Sequence, residues 1–310
     1  MVWASSLNIL KYPPMFGVIP RVRFIEPQLP SLVEQPPEGK HWIREIKHDG
    51  YRSMVVLEGG KARVFPRNGH DWSDRCPSIV GAASNLCCKS AIIDGEAIVQ
   101  DEYGRSDFES LQSAMKTRPH SIILYAFDLL HLDGKDLRQH TLVQRREKLK
   151  ALVGDSTESR IQFSDEFEGN GAAILKACFS EGLEGIVSKH ALSTYRSGRS
   201  KFWQKTKCFT ESIFVVVGTD RDPKTRAPRA LLAHNGNSGL GYAGAAFIAL
   251  AGDERARFFS ELDRLAVSWS EFKASRNDDV TWCQPEMAVT VKHLAGGKML
   301  RHATVRALVG

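Results

Sequence analysis

A lysine, Lys47, stands just before an Asp-Gly pair and an arginine, Arg52, just after it, within the octet EIKHDGYR at residues 45–52. A lysine with its ordinary pKa of about 10.4 is protonated near neutral pH and cannot act as a nucleophile. Burial and neighbouring cations favour the neutral amine, and nucleophilic lysines use one or both. Taken alone, the octet favours a simpler interpretation, in which the Asp-Gly pair is the turn of a hairpin between the two flanking strands.

Further charged residues stand beside glycines or along a predicted strand in four segments, at residues 67–69, 93–96, 184–189 and 201–207. In the last segment, Lys205 and Lys207 alternate along a strand, so their side chains point to the same face. These two lysines could supply the cations that a neutral Lys47 requires. Each segment by itself is most simply a turn or a solvated strand face, but the order and spacing of all five favour a common site.

In this order and spacing, the five segments resemble those of the ATP-dependent DNA ligases of the covalent nucleotidyltransferase superfamily. The resemblance runs from about residue 24 to residue 301 and is greatest to the ligase module of bacterial end-joining, ligase D-type DNA ligases. Connecting stretches that support this narrower assignment are GRSDF at 104–108, YAFDLL at 125–130 and YRSGRS at 195–200. The resemblance implies a two-domain enzyme that binds ATP in its first domain and closes the second domain over it.

The resemblance weakens near the C-terminal end. Leu300-Arg301-His302 matches the family, but Ala-Thr-Val-Arg follows where the family has Pro-Ser-Phe and a basic or acidic tail. Orientation of pyrophosphate by this segment is therefore expected of Arg301, with Arg306 as a substitute for the missing basic residue.

The resemblance implies a reaction with three phosphoryl-transfer steps. Lys47 attacks the α-phosphate of ATP, which forms lysyl-AMP and releases pyrophosphate. The AMP then passes to the 5′-phosphate at a nick in duplex DNA, and the 3′-hydroxyl displaces AMP and seals the strand. Phosphoryl transfer depends mainly on positioning and on compensation of charge. The implied setting is DNA repair and recombination.

The resemblance also assigns the remaining candidate residues to parts of the substrate. Lys205 and Lys207 are assigned to the α-phosphate, and Arg52 and Arg67 to ribose and phosphate oxygens. Glu96 and Glu184 are assigned to the ribose and to Mg²⁺, with Mn²⁺ as an alternative. Adenine is assigned to Glu45, the backbone near Ile46 and the stacked ring of Phe127. Magnesium binds few carboxylates and bridges through waters and phosphates. Surface arginines and a core phenylalanine are the simpler alternatives for Arg52, Arg67 and Phe127.

The sequence pattern predicts an α+β fold. Short strands are expected at 42–46, 51–57, 62–65, 91–99 with a break at Asp94-Gly95, 121–127, 185–189 and 201–206, with helices near 142–153 and 172–179. We expect an N-terminal extension over 1–23 and an antiparallel-sheet nucleotidyltransferase domain, an ATP-grasp-like ligase domain, over 24–208. Further strands at 213–218, 230–234, 241–244 and 288–291, with a helix at 254–265, predict a β-barrel OB-fold domain over 209–310.

Composition fits this interpretation. The chain has 310 residues, 42% of them hydrophobic and 25% charged, with a net charge of +6 that suits a polyanionic partner. Six cysteines without a C-x-x-C pair, and no signal peptide, indicate neither disulfides nor zinc. No stretch approaches the ~18 apolar residues of a membrane span. We expect a cytoplasmic monomer that acts on nicked double-stranded DNA, with a Ku-like end-binding protein as partner.

Two alternatives to a DNA ligase share these motifs. One is an RNA ligase or a capping-type nucleotidyltransferase, which would use GTP or seal only RNA. The other is a catalytically weak or silent relative that binds nucleic acid in a salt-dependent way. NAD⁺ as the adenylate donor is disfavoured, because ligases of that type carry an extra domain before the lysine.

Overall fold

The structure is a computed structural model that describes residues 22–236, 239–268, 272, 279–295 and 299–309. Most of the extension predicted over residues 1–23 lies outside the described residues. Val22, which belongs to it, is buried against the side chains of Phe24 and Phe65.

The described part of the chain contains strands and helices in a mixed order. The strands are β1 (Gln28–Leu32), β2 (Trp42–Ile46), β3 (Tyr51–Glu58), β4 (Lys61–Pro66), β5 (Ser90–Ile98), β6 (Ile123–Leu132), β7 (Lys135–Asp136), β8 (Ile161–Phe163), β9 (Gly185–His190), β10 (Gly198–Lys207), β11 (Phe209–Arg221), β12 (Pro228–Gly236), β13 (Gly239–Ile248), β14 (Ala266–Val267), β15 (Thr281–Cys283), β16 (Ala288–Leu294) and β17 (Thr304–Leu308). The helices are α1 (Pro77–Ser84), α2 (Phe108–Thr117), α3 (Leu142–Val153), α4 (Gly171–Ser180) and α5 (Gly252–Arg264), with 3-10 turns at Ser73–Arg75 and Pro119–Ser121.

Two sheets face each other across the first part of the chain. One has the strand order β4-β3-β5-β6-β7, with β8 pairing in parallel with β6. The other has the order β1-β10-β9-β2. Because side chains alternate along a strand, β3 contributes to two cores. Val55 packs in the core shared with α1, α2 and α3, whereas Met54 and Val56 pack in the core between the two sheets.

The hairpin interpretation of the octet is wrong. β2 pairs with β9 in the four-stranded sheet, whereas β3 pairs with β4 and β5 in the six-stranded sheet. The chain therefore crosses from one sheet to the other at residues 47–50, which we call the lysine turn. Gly50 is required there by close approach, because a Cβ would lie 2.3 Å from the carbonyl oxygen of Ala97 on β5.

Helix α3 connects the two sheets. Thr141 caps its first turn and forms a capping box with Gln144. The next two residues are both buried arginines. Arg145 donates to both carboxylate oxygens of Asp128 on β6, at 2.7 and 2.8 Å, and Arg146 reaches Glu45 on β2 at 2.9 Å.

The last part of the chain forms a closed five-stranded barrel. Strands β11, β12, β13, β17 and β16 pair in that cyclic order, since β16 also pairs with β11. All these pairings are antiparallel except that of β13 with β17. Helix α5 lies in the chain between β13 and β16, and its Phe258 and Leu262 are buried in the barrel core.

Other differences from the predicted elements are local. The predicted break at Asp94-Gly95 is wrong, because β5 continues through it, and only its register against β6 shifts at that point. The pattern did not predict α1 and α2 or the strands β1, β7, β8, β14, β15 and β17. The helices in the described ranges include none that is long and apolar enough to cross a membrane.

Substitution of Gly185 by alanine is expected to destabilise the fold. Gly185 has φ +144°, and an added Cβ would lie 2.1 Å from the carbonyl oxygen of Thr206 on the paired strand. Because backbone on both strands would have to move, we expect a loss of about 2–4 kcal/mol in the free energy of unfolding. Urea unfolding followed by circular dichroism measures this loss.

Gly81→Ala is the matched control. Gly81 lies inside α1, and no atom beyond its chain neighbours and the backbone of its own helix lies within 4 Å of an added Cβ. Alanine has the higher helix propensity, so this variant is expected to gain up to about 1 kcal/mol. Equal unfolding midpoints for the two variants would contradict the close-approach explanation.

Candidate active site

A cavity of about 610 Å³ lies between the two facing sheets. Its lining includes most of the residues that the sequence singled out: Glu45, Ile46, Lys47, Arg52, Arg67, Glu96, Phe127 and Lys205. Glu184, Lys207 and Arg301 do not line it, but each contacts the lysine turn or a residue bound to it. The structure therefore brings the five sequence segments together around Lys47.

Lys47 shares a carboxylate with Lys207. Its Nζ donates to Oε2 of Glu184, and the Nζ of Lys207 lies 2.9 Å from the other oxygen, Oε1. The backbone N–H of Lys47 also donates to the carbonyl of Gly185 at 2.8 Å. Burial alone would raise the pKa of Glu184, but Lys47 and Lys207 together lower it. Glu184 is thus a buried anion that holds two lysines side by side.

Lys205 lies on the same face of β10 as Lys207, as the alternation predicted. Burial, reinforced by Lys207 and Lys47, lowers the pKa of Lys205. Burial also lowers the pKa of Lys207, against the opposing effect of Glu184. Each ammonium ion in this group is disfavoured by the neighbouring cations. The group of lysines as a whole would attract an anionic ligand.

Arg52 is held rigidly at the opposite wall. Its Nε and Nη2 donate to the two oxygens of Asp94, at 2.6 and 2.7 Å, and its guanidinium lies 4.4 Å from the ring centre of Phe127. Burial opposes the charge of Arg52, but Asp94 outweighs this effect and raises the pKa of Arg52. Asp94 also accepts from the hydroxyl of Tyr195 at 2.7 Å. Arg67 is exposed on the loop after β4 at the edge of the cavity.

Glu96 is the cavity carboxylate without a hydrogen-bond partner among the described residues. It stands directly opposite Arg52 in the β3–β5 pairing. Burial raises the pKa of Glu96 to about 7, although Lys47 and Arg52 oppose the shift. A carboxylate with free oxygens, beside a cavity suited to an anion, fits one ligand position for Mg²⁺.

Glu184 fits a metal less well, because both of its oxygens are taken by lysines. Within the residues that the structure describes, no group of three or more His, Cys, Asp or Glu could hold a metal ion. A cation at Glu96 would therefore take its other ligands from water or phosphate, and the metal role predicted for Glu184 stays a prediction.

Glu45 is buried and held by cations. Its carboxylate accepts from Lys189 at 2.8 and 2.9 Å, from Arg146 at 2.9 Å and from the hydroxyl of Ser164 at 3.1 Å. Burial lowers the pKa of Lys189 to about 8. The predicted contact of Glu45 with adenine stays a prediction, and the carboxylate is in the cavity wall where such a contact would occur.

Phe127 lies at the back of the cavity and is 7% exposed. The Nζ of Lys189 lies 3.9 Å from its ring centre, and Trp203 packs against it edge to face at 6.1 Å. Cations and an indole therefore occupy much of the ring's surroundings. Stacking of adenine on Phe127 stays a prediction.

The barrel contacts the lysine turn through Arg301. Its Nη1 donates to Oδ2 of Asp49. Arg306 lies farther along the barrel and lines a second cavity, of about 710 Å³, together with Lys207 and Lys292. Thus Arg301 reaches the site directly, whereas Arg306 belongs to the neighbouring cavity. The predicted task of both with pyrophosphate stays a prediction.

Several residues of the site were given no role by the sequence analysis, although all but Arg146 lie in the segments that it singled out. They are Asp94, Arg146, Lys189 and Trp203, with His48, whose ring stacks on Tyr125 at 4.2 Å. The alternation that placed Lys205 and Lys207 on one face extends to Trp203 and could have found it. Burial lowers the pKa of His48 to about 4, so this imidazole is neutral near pH 7. For Arg146 the available signal was its helical spacing from Leu142 and Leu149, which are buried on the same helix.

Comparison with known proteins gives consistent matches. The family model described as "ATP dependent DNA ligase domain" matches residues 28–207. The multifunctional non-homologous end joining protein LigD of Pseudomonas aeruginosa is 36% identical over 304 residues, which are 94% of this chain and 36% of that protein. The LigD protein of Mycolicibacterium smegmatis is 27% identical over 264 residues, 83% of this chain and 34% of that protein. The chain thus spans about a third of the length of these relatives.

A solved structure of a mycobacterial DNA ligase D, complexed with ATP and MES, has the same fold. It superposes with a TM-score of 0.57 at 25% identity, over 93% of this chain and 95% of that one. The chain therefore has the mixed α/β nucleotidyltransferase ligase fold.

The stability of the chain is expected to depend on pH through Glu96. Because the folded-state pKa is raised from 4.5 to about 7, the folded chain binds this proton more tightly than the unfolded chain does. The resulting stabilisation is fully present below pH 4.5 and is lost as pH rises through about 7. Glu96→Gln should therefore gain stability relative to the unaltered chain between pH 4.5 and 7, measured as urea midpoints. A difference that does not change with pH would contradict the burial of this carboxylate.

Proposed function

Because the chain belongs to the ATP-dependent DNA ligase family, whose model covers residues 28–207, we propose that it seals 5′-phosphate/3′-hydroxyl nicks in duplex DNA. The proposed carrier of the reaction is lysyl-AMP formed on Lys47. The observation that carries the proposal is the position of Lys47 in a cavity of about 610 Å³, joined to Glu184 and surrounded by the cations of Lys205 and Arg52.

In the first step, the Nζ of Lys47 forms a bond to the α-phosphorus of ATP, and the bond to the leaving pyrophosphate breaks. Lys47 must lose a proton beforehand. The neighbouring cations of Lys205 and Lys207 support this loss, because they disfavour a third ammonium ion beside them. Glu184, to which the Nζ is already hydrogen-bonded, is placed to accept the proton.

Arg52 is the proposed contact for ribose and phosphate oxygens. Its fixed ion pair with Asp94 keeps the guanidinium oriented, and little reorganisation is needed when charge develops on the phosphate. Glu45 and Phe127 are the proposed contacts for adenine. Arg67, at the edge of the cavity, is proposed with Arg52 for ribose and phosphate oxygens. Mg²⁺, or Mn²⁺, would be held by Glu96, and when bound it would neutralise phosphate charge.

We further propose that the chain has two domains, a nucleotidyltransferase domain over 24–208 and an OB-fold domain over 209–310. The five-stranded barrel of β11, β12, β13, β17 and β16 supports the second assignment, since OB-folds are small Greek-key barrels of five strands. The contact of Arg301 with Asp49 supports a barrel that closes over the lysine turn.

The proposed substrate in cells is broken or nicked DNA, and the proposed partner is a Ku-like end-binding protein. The names of the relatives from Pseudomonas aeruginosa and Mycolicibacterium smegmatis support this, since both are end-joining proteins. Net charge of +6 suits a DNA-binding enzyme. A rate of end sealing that such a partner leaves unchanged would count against the partnership.

Incubation with α-³²P-labelled ATP and Mg²⁺ is expected to label the chain covalently, and Lys47→Ala should abolish the label. The reason is that the alanine variant has no amine to form the phosphoramidate bond. Lys201→Ala, an exposed lysine on the same strand as Lys205, is the control and should keep full labelling. Label that persists in Lys47→Ala would rule out this nucleophile, and labelling by GTP in place of ATP would select a capping-type enzyme.

Arg301→Ala is expected to slow lysyl-AMP formation by about tenfold to a hundredfold, because it removes a cation next to the leaving group and the contact with Asp49. Sealing of a nick that already carries AMP should change less. Rapid-quench assays of the two steps measure both rates, with Arg306→Ala as the comparison at the neighbouring cavity. Equal losses in the two steps would contradict a specific role in adenylation.

A further inference from the structure

The carboxylate of Glu45 is held from two sides. Arg146 and Ser164 contact it at 2.9 and 3.1 Å, and neither side chain lines the 610 Å³ cavity. Lys189 bridges both oxygens of Glu45 at 2.8 and 2.9 Å, and this lysine does line the cavity. The arginine and the serine therefore hold the carboxylate from behind, and the lysine is the contact that a ligand would meet.

Arg146 also fixes the wall around Glu45. Its Nη1 donates to the carbonyl oxygen of Phe127 at 3.3 Å, and its Nη2 donates to the carbonyl oxygen of Ser164 at 2.8 Å. One guanidinium thus ties β2 of one sheet to β6 of the other. Its side chain is 4% exposed, its Nε also lies 3.4 Å from Glu166, and it does not line the cavity.

A carboxylate accepts hydrogen bonds and donates none, so at a fixed position it distinguishes nucleobases. An exocyclic amino group, as in adenine, can donate to it, whereas the carbonyl oxygen of guanine would face the anion with a lone pair. The discrimination depends on the direction of the carboxylate, because a freely rotating group would adapt to either base. The groups that fix the carboxylate are therefore expected to set base selectivity.

We propose that Arg146 is a positioning residue for base recognition, which orients Glu45 toward the 6-amino group of the purine nucleotide without touching it. This inference rests on the proposed function, since it concerns the nucleotide that charges Lys47. Lys189 is the contact that the amino group displaces from one carboxylate oxygen, and Arg146 and Ser164 remain in place.

The test compares ATP with purine riboside triphosphate, which lacks the 6-amino group. The measured reaction is the covalent transfer of the nucleoside monophosphate to Lys47. Arg146→Lys keeps a cation but loses the planar fork that contacts three acceptors. We expect the variant to raise the half-saturating ATP concentration by about tenfold. The maximal rate of labelling should change little. The half-saturating concentration of the analogue should stay within about twofold of its value for the unaltered chain. A merely structural role would affect both nucleotides alike.

Arg145→Lys is the matched control, because Arg145 is the neighbouring buried arginine on α3 and pairs with Asp128 instead. It should lower thermal stability without changing the ratio between the half-saturating concentrations of ATP and the analogue. Ser164→Ala is a smaller change and should also raise the half-saturating concentration of ATP but not that of the analogue. This variant provides the test if Arg146→Lys does not fold. If the half-saturating concentrations of ATP and the analogue rise equally in the Arg146 and Ser164 variants, the inference is wrong but the proposed function stands. Absence of labelling in the unaltered chain would overturn the proposed function, and the inference with it.

Discussion

One buried carboxylate, Glu184, holds two lysines in the site, and the other parts of the structure are arranged around that contact. Burying an ammonium ion without a counter-charge costs several kcal/mol, so Lys47 and Lys207 need this anion as long as no other anion is present. Glu184 is positioned by the start of β9, where the carbonyl of Gly185 also accepts from the backbone of Lys47. The same strand end thus holds both the backbone nitrogen of Lys47, through Gly185, and its side-chain ammonium, through Glu184.

The sequence was most informative where a local period determines the structure. Alternation along one strand predicted that Lys205 and Lys207 share a face, and the strand of residues 42–46 was predicted with its observed bounds. The hairpin interpretation of the octet taken alone is wrong, because an Asp-Gly pair does not determine which strands its flanking strands pair with. That choice depends on β9 and β5, far away in the chain.

Contacts that depend on tertiary packing were out of reach of the sequence. Arg146 and Glu45 are separated by 101 positions, and an arginine on an amphipathic helix is ordinarily a solvated residue. Burial shifts the pKa of Glu96 and Lys189 in opposite directions, and burial cannot be obtained from motif spacing. The site residues that the family resemblance suggested lie together in the structure, but the residues that orient them come from the fold.

Helix α3 carries two consecutive buried arginines: Arg145 contacts β6 of the six-stranded sheet, and Arg146 contacts both β6 and β2 of the four-stranded sheet. Successive residues of a helix are about 100° apart around its axis, so Arg145 and Arg146 leave the helix in different directions to reach Asp128 and Glu45. Both ion pairs are complete only when both sheets are assembled. We therefore expect the two sheets to unfold together, because separating them would leave the buried charges of Arg146 and Glu45 without their partners.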